Sequence, residues 1–402
     1  MRRPVVIAVA LAFGLALVAA EADAQDAEAG RHAVERFGCD NCHTLPGQRT
    51  HADGGCVSCH QNVRRRAAGM LGRRPEVEHL LTTPSLLNVT RRLETEYLVR
   101  YLEDPHDVRH RLDESMPRLP VSAEDARNIV AFLTREAGVY RAPASPAPSA
   151  SRVDRGREVF SLGGCAGCHA FGNAPAPYEL PRAALVAFGD AATLAPNLRY
   201  ARERMDPDTM LAWIVDPRSV DENAHMEAPE ISAGDALAVR DYILLGSPGR
   251  PVAPPAAPTA AEVTPLGRDV AFREVRAIFG QSCIHCHSHA SGAGASQALG
   301  FDAFELDLAS WEGIRAGVST EAGERRSILE ATEGGVSPLV ARLLRRHAEA
   351  PRDIVTPMRD PLRPARREER GTESVGMPLG LPPLSLGQIR IVHTWIVQGA
   401  GR

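Results

Sequence analysis

The chain contains eight cysteines, and all of them fall in one pattern. Cys39-Asp-Asn-Cys42-His43, Cys56-Val-Ser-Cys59-His60, Cys165-Ala-Gly-Cys168-His169 and Cys283-Ile-His-Cys286-His287 each set two thiols three residues apart, with an imidazole directly after the second. Paired thiols at this distance can ligate zinc or close a disulfide, and the nearness of the first two pairs suits a zinc ribbon. Neither alternative requires a histidine after every second cysteine. C-x-x-C-H is the attachment signature of c-type haem: the thiols add to the two vinyl groups, and the histidine gives iron an axial nitrogen. The sequence therefore predicts four covalently bound haem c groups, attached through Cys39, Cys42, Cys56, Cys59, Cys165, Cys168, Cys283 and Cys286. The axial imidazoles are those of His43, His60, His169 and His287.

Covalent haem attachment in bacteria takes place outside the cytoplasm, and the N-terminus agrees with that compartment. Met1-Arg2-Arg3 precedes an apolar run from Val5 to Ala20, and Ala22-Asp23-Ala24 offers a small-residue cleavage site. This is the layout of a secretory signal peptide over 1–24, with an uncleaved anchor as the alternative. No later stretch is apolar enough to span a bilayer, so the expected product is soluble, periplasmic and without a transmembrane anchor once cleaved. The net charge of −4 offers no basic surface for nucleic acid. All 46 basic residues are arginine, which fits genomic composition bias better than a set of docking patches. Aromatic residues make up only 5% of the chain, and haem would supply flat apolar core material in their place.

Two tracts divide the chain. RAPASPAPSAS over 141–151 and GRPVAPPAAPTAA over 249–261 cannot build a core and read as semi-rigid spacers that permit relative motion. They leave segments 25–140, 152–248 and 262–402, each with at least one motif. The first two look like an internal repeat. Gly30-Arg31 and Gly156-Arg157 both stand nine residues before the first motif cysteine, and each begins a short helix carrying an aromatic, Phe37 or Phe160, towards the core. The stretches 97–105 and 210–217 each read as a helix closed by Asp-Pro. A methionine follows, and then an amphipathic helix with Ile129, Val130, Phe132 and Leu133 in one segment and Leu237, Val239, Ile243 and Leu244 in the other. Ser122 and Asp125 form a capping-box pair at the start of the first of these helices.

This order resembles class I cytochrome c domains across 30–136 and 156–246. The resemblance implies crossed first and last helices and a proline carbonyl bonded to the motif histidine, with Pro84 and Pro196 in the matching places. Such a carbonyl fixes the imidazole tautomer and makes it a better ligand. The third segment is similar, more loosely, to planctomycete-type cytochrome c domains over 270–402. The similarity rests on Gly376-Met377-Pro378, Pro383-Leu384-Ser385 and Trp395-Ile396-Val397-Gln398-Gly399-Ala400, with an Arg- and Pro-rich insertion around 351–372. Together the resemblances imply an all-α chain: three small helical cytochrome c-like domains in tandem, joined by Pro/Ala-rich linkers.

They also imply methionine as the sixth iron ligand, from Met116, Met226 and Met377, with Met358 as a further candidate in the third segment. Met226 lacks the following proline and has His225 beside it. From His43 to Pro84 is 41 residues, whereas His169 to Pro196 is 27. The excess of about fourteen accommodates the second motif as a loop insertion. His43 then pairs with Met116, and the His60 haem takes a ligand from among His51, His79, His106 and His110, with His79 the favoured choice. The reverse pairing, His60 with Met116, is also open.

The functional expectation is an exported tetrahaem cytochrome c that carries single electrons between periplasmic or membrane-bound redox proteins, and is a carrier rather than an enzyme. Two other readings stand beside it. One is the cytochrome subunit of a larger dehydrogenase or respiratory complex; alcohol dehydrogenase subunits of this kind usually have three motifs. The other is a peroxidase-like enzyme with an open site on the His60 haem.

Overall fold

The structure is a computed structural model. It describes residues 26–46, 83–105, 108–110, 116, 119, 121–173, 181–188, 190–249, 258–284, 287–288, 306–319, 323–331, 335–349, 376–378 and 383–402. The expected signal peptide at 1–24, Cys56, Cys59, His60, Cys286, Met358, His51, His79, His106 and the stretch 351–372 lie outside the described residues.

The described residues are mostly helical. One two-stranded antiparallel ladder, Val318–Ser319 with Arg325–Arg326, is the exception. The buried apolar residues form three clusters that follow the three segments.

In the first segment, helix α1 (26–36) buries Ala27, Gly30, Ala33 and Val34 along one stripe. Its exposed side carries Arg31 between Glu28 and Glu35 at 2.5 and 2.6 Å. Helix α2 (Thr95–Glu103) buries Tyr97 and Leu98, and it stops at Asp104 because Pro105 cannot continue it. Helix α3 (Ala123–Ala137) opens on the expected capping box. The Asp125 N–H donates to Ser122 Oγ at 3.0 Å, and the Ser122 N–H donates to Asp125 Oδ2 at 3.2 Å. Asp125 also takes Arg36 from α1 at 2.5 Å, which ties the two terminal helices of the segment together.

The second segment repeats this order with α4 (Val153–Leu162), α5 (Pro207–Val215) and α6 (Ala233–Leu245). Helix α5 has Asp206 as its N-cap and Pro207 in its first turn, and it ends at Asp216 ahead of Pro217. Ser232 caps α6 by accepting from the Asp235 N–H at 3.1 Å, and Arg155 of α4 reaches Asp235 at 2.8 Å. Arg155 and the Ser232 hydroxyl hold the Asp235 carboxyl below its ordinary range. Its contribution is therefore complete above the ordinary carboxylate pKa and is lost as pH falls through the lowered one. Asp235→Asn should lose stability at neutral pH and converge on the wild type in acid. Urea denaturation across pH checks this, and a gap that widens on acidification would reject it.

The terminal helices of both segments cross at a glycine. A Cβ on Gly30 would lie 1.9 Å from the Asn128 carbonyl oxygen and 2.8 Å from the Phe132 Cβ. On Gly156 it would lie 1.9 Å from the Ala238 oxygen and 2.7 Å from the Tyr242 Cβ. Below the second crossing, Phe160, Phe171 and Tyr242 form an aromatic triad with centroid distances of 4.8 to 6.5 Å. Four residues beyond Gly30 the matching position is held by buried Val34, not by Phe37. Phe37 is only partly buried, with the Arg36 guanidinium over its ring. The smaller side chain occupies the core position, so the sequence expectation for Phe37 holds only in part.

The third segment packs α7 (Phe272–Ser282), α8 (Pro338–Glu349) and α9 (Leu386–Val397) around Trp395, which is buried and stacked on Phe272 at 5.6 Å. The Trp395 and Trp311 indole N–H groups donate to the Gly401 and Ala400 carbonyls, anchoring the C-terminal residues. Ser385 and Gln388 form the capping box of α9.

The tract 141–151 is no free spacer. Its Ser145 N–H donates to Asp208, its Ser149 N–H donates to Asp241, and Arg240 donates to Ser145 Oγ and the Pro146 carbonyl at 2.6 and 2.8 Å. Arg240 and Asp241 are fully buried and paired at 2.6 Å, and Arg152 closes on Asp241 at 2.5 Å. The proline-rich composition keeps the tract extended, and the buried ion pair fastens it to the second segment.

Candidate functional site

Two motif turns are built alike. Helix α1 ends before Gly38, whose φ of 61° starts a tight turn over Cys39–Asn41; α4 ends before Gly164, whose φ of 87° starts a turn over Cys165–Cys168. Only glycine adopts this left-handed backbone without strain. The turn is locked when the His43 N–H donates to the Cys39 carbonyl at 2.9 Å and the His169 N–H donates to the Cys165 carbonyl at 2.8 Å. Both cysteines of a motif thereby lie on one turn, immediately before the imidazole.

The imidazoles are held from behind. His43 Nδ1 lies 2.8 Å from the Pro84 carbonyl oxygen, and His169 Nδ1 lies 2.9 Å from that of Pro196. A carbonyl oxygen can only accept, so each bond requires the proton on Nδ1 and leaves the Nε2 lone pair available to a metal. A second bond fixes each strap two residues on: the Leu86 N–H donates to Thr44 O at 2.9 Å, and the Leu198 N–H donates to Ala170 O at 2.8 Å. Both proline positions are those expected from the sequence.

The motif at Cys283 differs. Helix α7 runs directly into Cys283 with no left-handed glycine before it. The His287 N–H donates to Cys283 O at 3.0 Å, as in the other two turns. Here the Leu308 N–H bonds to the carbonyl of His287 itself, one residue earlier than in the first two turns.

The described cysteines are Cys39, Cys42, Cys165, Cys168 and Cys283. Burial pushes the Cys39 thiol up to about 11, with Asp40 adding to the shift, and burial also raises Cys165. Neither is a thiolate at neutral pH, so neither is primed as a nucleophile. Met116, Met226 and Met377 are all half-buried, and Met377 packs on the third cluster. Met116 and Met226 stand six residues before the serine that caps the following helix, Ser122 and Ser232; Met377 stands eight before Ser385.

No family model, no curated protein and no solved structure matches this chain. Among the described residues, no helix is long and apolar enough to cross a membrane.

Two features were not foreseen. The first is Asn197, buried directly after Pro196; its Oδ1 accepts from the Gly172 N–H at 2.7 Å and from the Arg199 N–H at 3.0 Å. A sequence signal existed, because a short polar residue follows the strap proline in both segments, Ser85 and Asn197. The second is a seam between the first two segments. Arg92 lies over Trp213 at 5.6 Å, and Arg204 lies over Tyr97 at the same distance. The Glu94 N–H donates to Arg204 O at 2.8 Å, Asn88 donates to Asp221 at 3.1 Å, and Met205 packs against both clusters. Burial and the neighbouring Arg204 push the Arg92 guanidinium down to about 10, against the pull of Asp221. The spacer reading implied segments free to move, but these contacts hold the first two together.

Proposed function

We propose that this chain is an exported multihaem electron carrier of the cytochrome c type, with domains at 25–140, 152–248 and 262–402 behind a signal peptide at 1–24. The observation that carries the reading is the pair of matched turns, each presenting two thiols and an imidazole whose Nδ1 is committed to a proline carbonyl. That donor set suits haem c. Cys39 with Cys42 and Cys165 with Cys168 would hold it through thioethers, and His43 and His169 through Nε2. The motifs at Cys56 and Cys283 extend the same assignment by sequence, with His60 and His287 as axial ligands. Met116, Met226 and Met377 are the proposed sixth ligands.

When bound, haem supplies a one-electron iron couple. The chain keeps the Nδ1 proton on a carbonyl, so that the imidazole stays oriented in both oxidation states. Cys39 and Cys165 pack, partly buried, against the apolar clusters of their segments. The partners in this reading are periplasmic or membrane-bound redox proteins, and the chain is a carrier, not an enzyme.

Expression with its own leader in a bacterium competent for cytochrome c maturation tests the proposal. The intact mass should exceed that of the processed chain by four haem groups, and the ferrous spectrum should be low-spin. The Cys165→Ala/Cys168→Ala double variant should lose one group. Recovery of processed protein with all its thiols unmodified would overturn the reading.

A further inference from the structure

The strap behind His169 is itself bonded from outside its own segment. The Pro196 carbonyl accepts from His169 Nδ1 at 2.9 Å, and the N–H of the same peptide group, that of Asn197, donates to the Val108 carbonyl of the first segment at 2.6 Å. Imidazole, peptide and Val108 thus form one series: Nδ1–H to O=C, across the amide, N–H to O=C. Hydrogen bonds in series polarise one another, by about 10–30% per bond. Donation by the Asn197 N–H moves electron density onto the Pro196 oxygen and strengthens its hold on the His169 proton. At the first motif the corresponding amide is that of Ser85, and its N–H has no such bond among the described residues.

We propose that the first segment tunes the metal-binding character of His169 through this shared peptide, making it a stronger donor than it would be without the Val108 bond. Val108 lies on the chain that leads from α2 to Met116, so the surroundings of one motif reach the axial histidine of the next. Asn197 is a positioning residue in this scheme: its amide transmits the polarisation, and its side chain fixes the strap. The proposal rests on the haem reading for its redox consequence. A more electron-rich imidazole favours ferric iron and lowers the potential of that centre.

Asn197 has φ −68°, which proline adopts without strain. Asn197→Pro therefore deletes the N–H and keeps the Pro196 carbonyl, while Asn197→Ala removes only the side chain. Redox titration of the holoprotein should show one midpoint potential more positive in Asn197→Pro than in Asn197→Ala, with the ferrous-to-ferric ratio at fixed potential raised about two-fold and the other centres unmoved. Equal potentials in the two variants would overturn the proposal. Should Asn197→Pro fail to mature, hydrogen exchange in the wild-type chain decides. The relay requires slow exchange of the Asn197 amide, and exchange at the rate of a free amide would refute it. The outcomes stay separable from the haem reading, since a chain without attached haem fails the mass test but still reports on the Asn197 amide.

Discussion

Replacing Gly156 with valine should cost about 3 kcal/mol or more, at the upper end for overpacked sites. The position has no room to relax. A Cβ there would sit 1.9 Å from the Ala238 carbonyl oxygen and 2.7 Å from the Tyr242 Cβ, so it meets backbone from the opposite helix. A flexible side chain could turn away, but a helical carbonyl cannot. Helices α4 and α6 must separate, which loosens the Phe160–Phe171–Tyr242 triad beneath them. Gly280 provides the control. It also lies within a helix, but among the described residues nothing stands within 4 Å of its added Cβ, so Gly280→Ala should be neutral or stabilise by about 0.5–1 kcal/mol. Thermal and urea denaturation followed by circular dichroism compare the two. A Gly156→Val protein as stable as the wild type would show that the helices do not cross there.

Asp241→Asn should be comparably damaging, by about 3–5 kcal/mol, the usual cost of breaking a buried ion pair from one side. The Asp241 carboxylate accepts from Arg240, Arg152 and the Ser149 N–H, and both Arg240 and Asp241 are fully buried. Neutralising it leaves the Arg240 charge without its compensating anion. The same change releases 141–151, so limited proteolysis should cut the variant within that tract far faster than the wild type. Replacing both partners with apolar residues, Arg240→Met with Asp241→Leu, should recover part of the loss, because no uncompensated charge is then left buried. A single variant with unchanged stability and unchanged cleavage would rule out the pair as the fastener.

The local features of the fold were the most legible in the sequence. The Ser122–Asp125 cap and the Asp-Pro helix ends at Asp104 and Asp216 are decided by residues within one turn of each other. The proline straps behind His43 and His169 were legible through family resemblance, since sequence separations of 41 and 27 say nothing by themselves about contact. Composition misled at 141–151. Proline and alanine tell of an extended backbone, but the Arg240–Asp241 pair that holds it lies ninety residues on and looks like any charged pair on a helix. The two-stranded ladder at Val318–Ser319 was missed because its strands are too short for alternation to register. The seam arginines were hidden by abundance: with 46 arginines in the chain, no single one stands out until its neighbour across the fold is known.

That seam also limits what the pair of segments can become. Arg92 and Arg204 hold matching places, each just before the helix that carries the other's aromatic partner, and each crosses to the opposite segment. Contacts exchanged in both directions between like surfaces are isologous, and isologous contacts close on themselves. Head-to-tail repeats leave a free face at each end and can lengthen into a stack. Here only the two arginine–aromatic contacts are exchanged in this way; the Glu94–Arg204, Asn88–Asp221 and Asn197–Val108 bonds run in one direction among the described residues, so the couple is closed at its arginines and lopsided elsewhere.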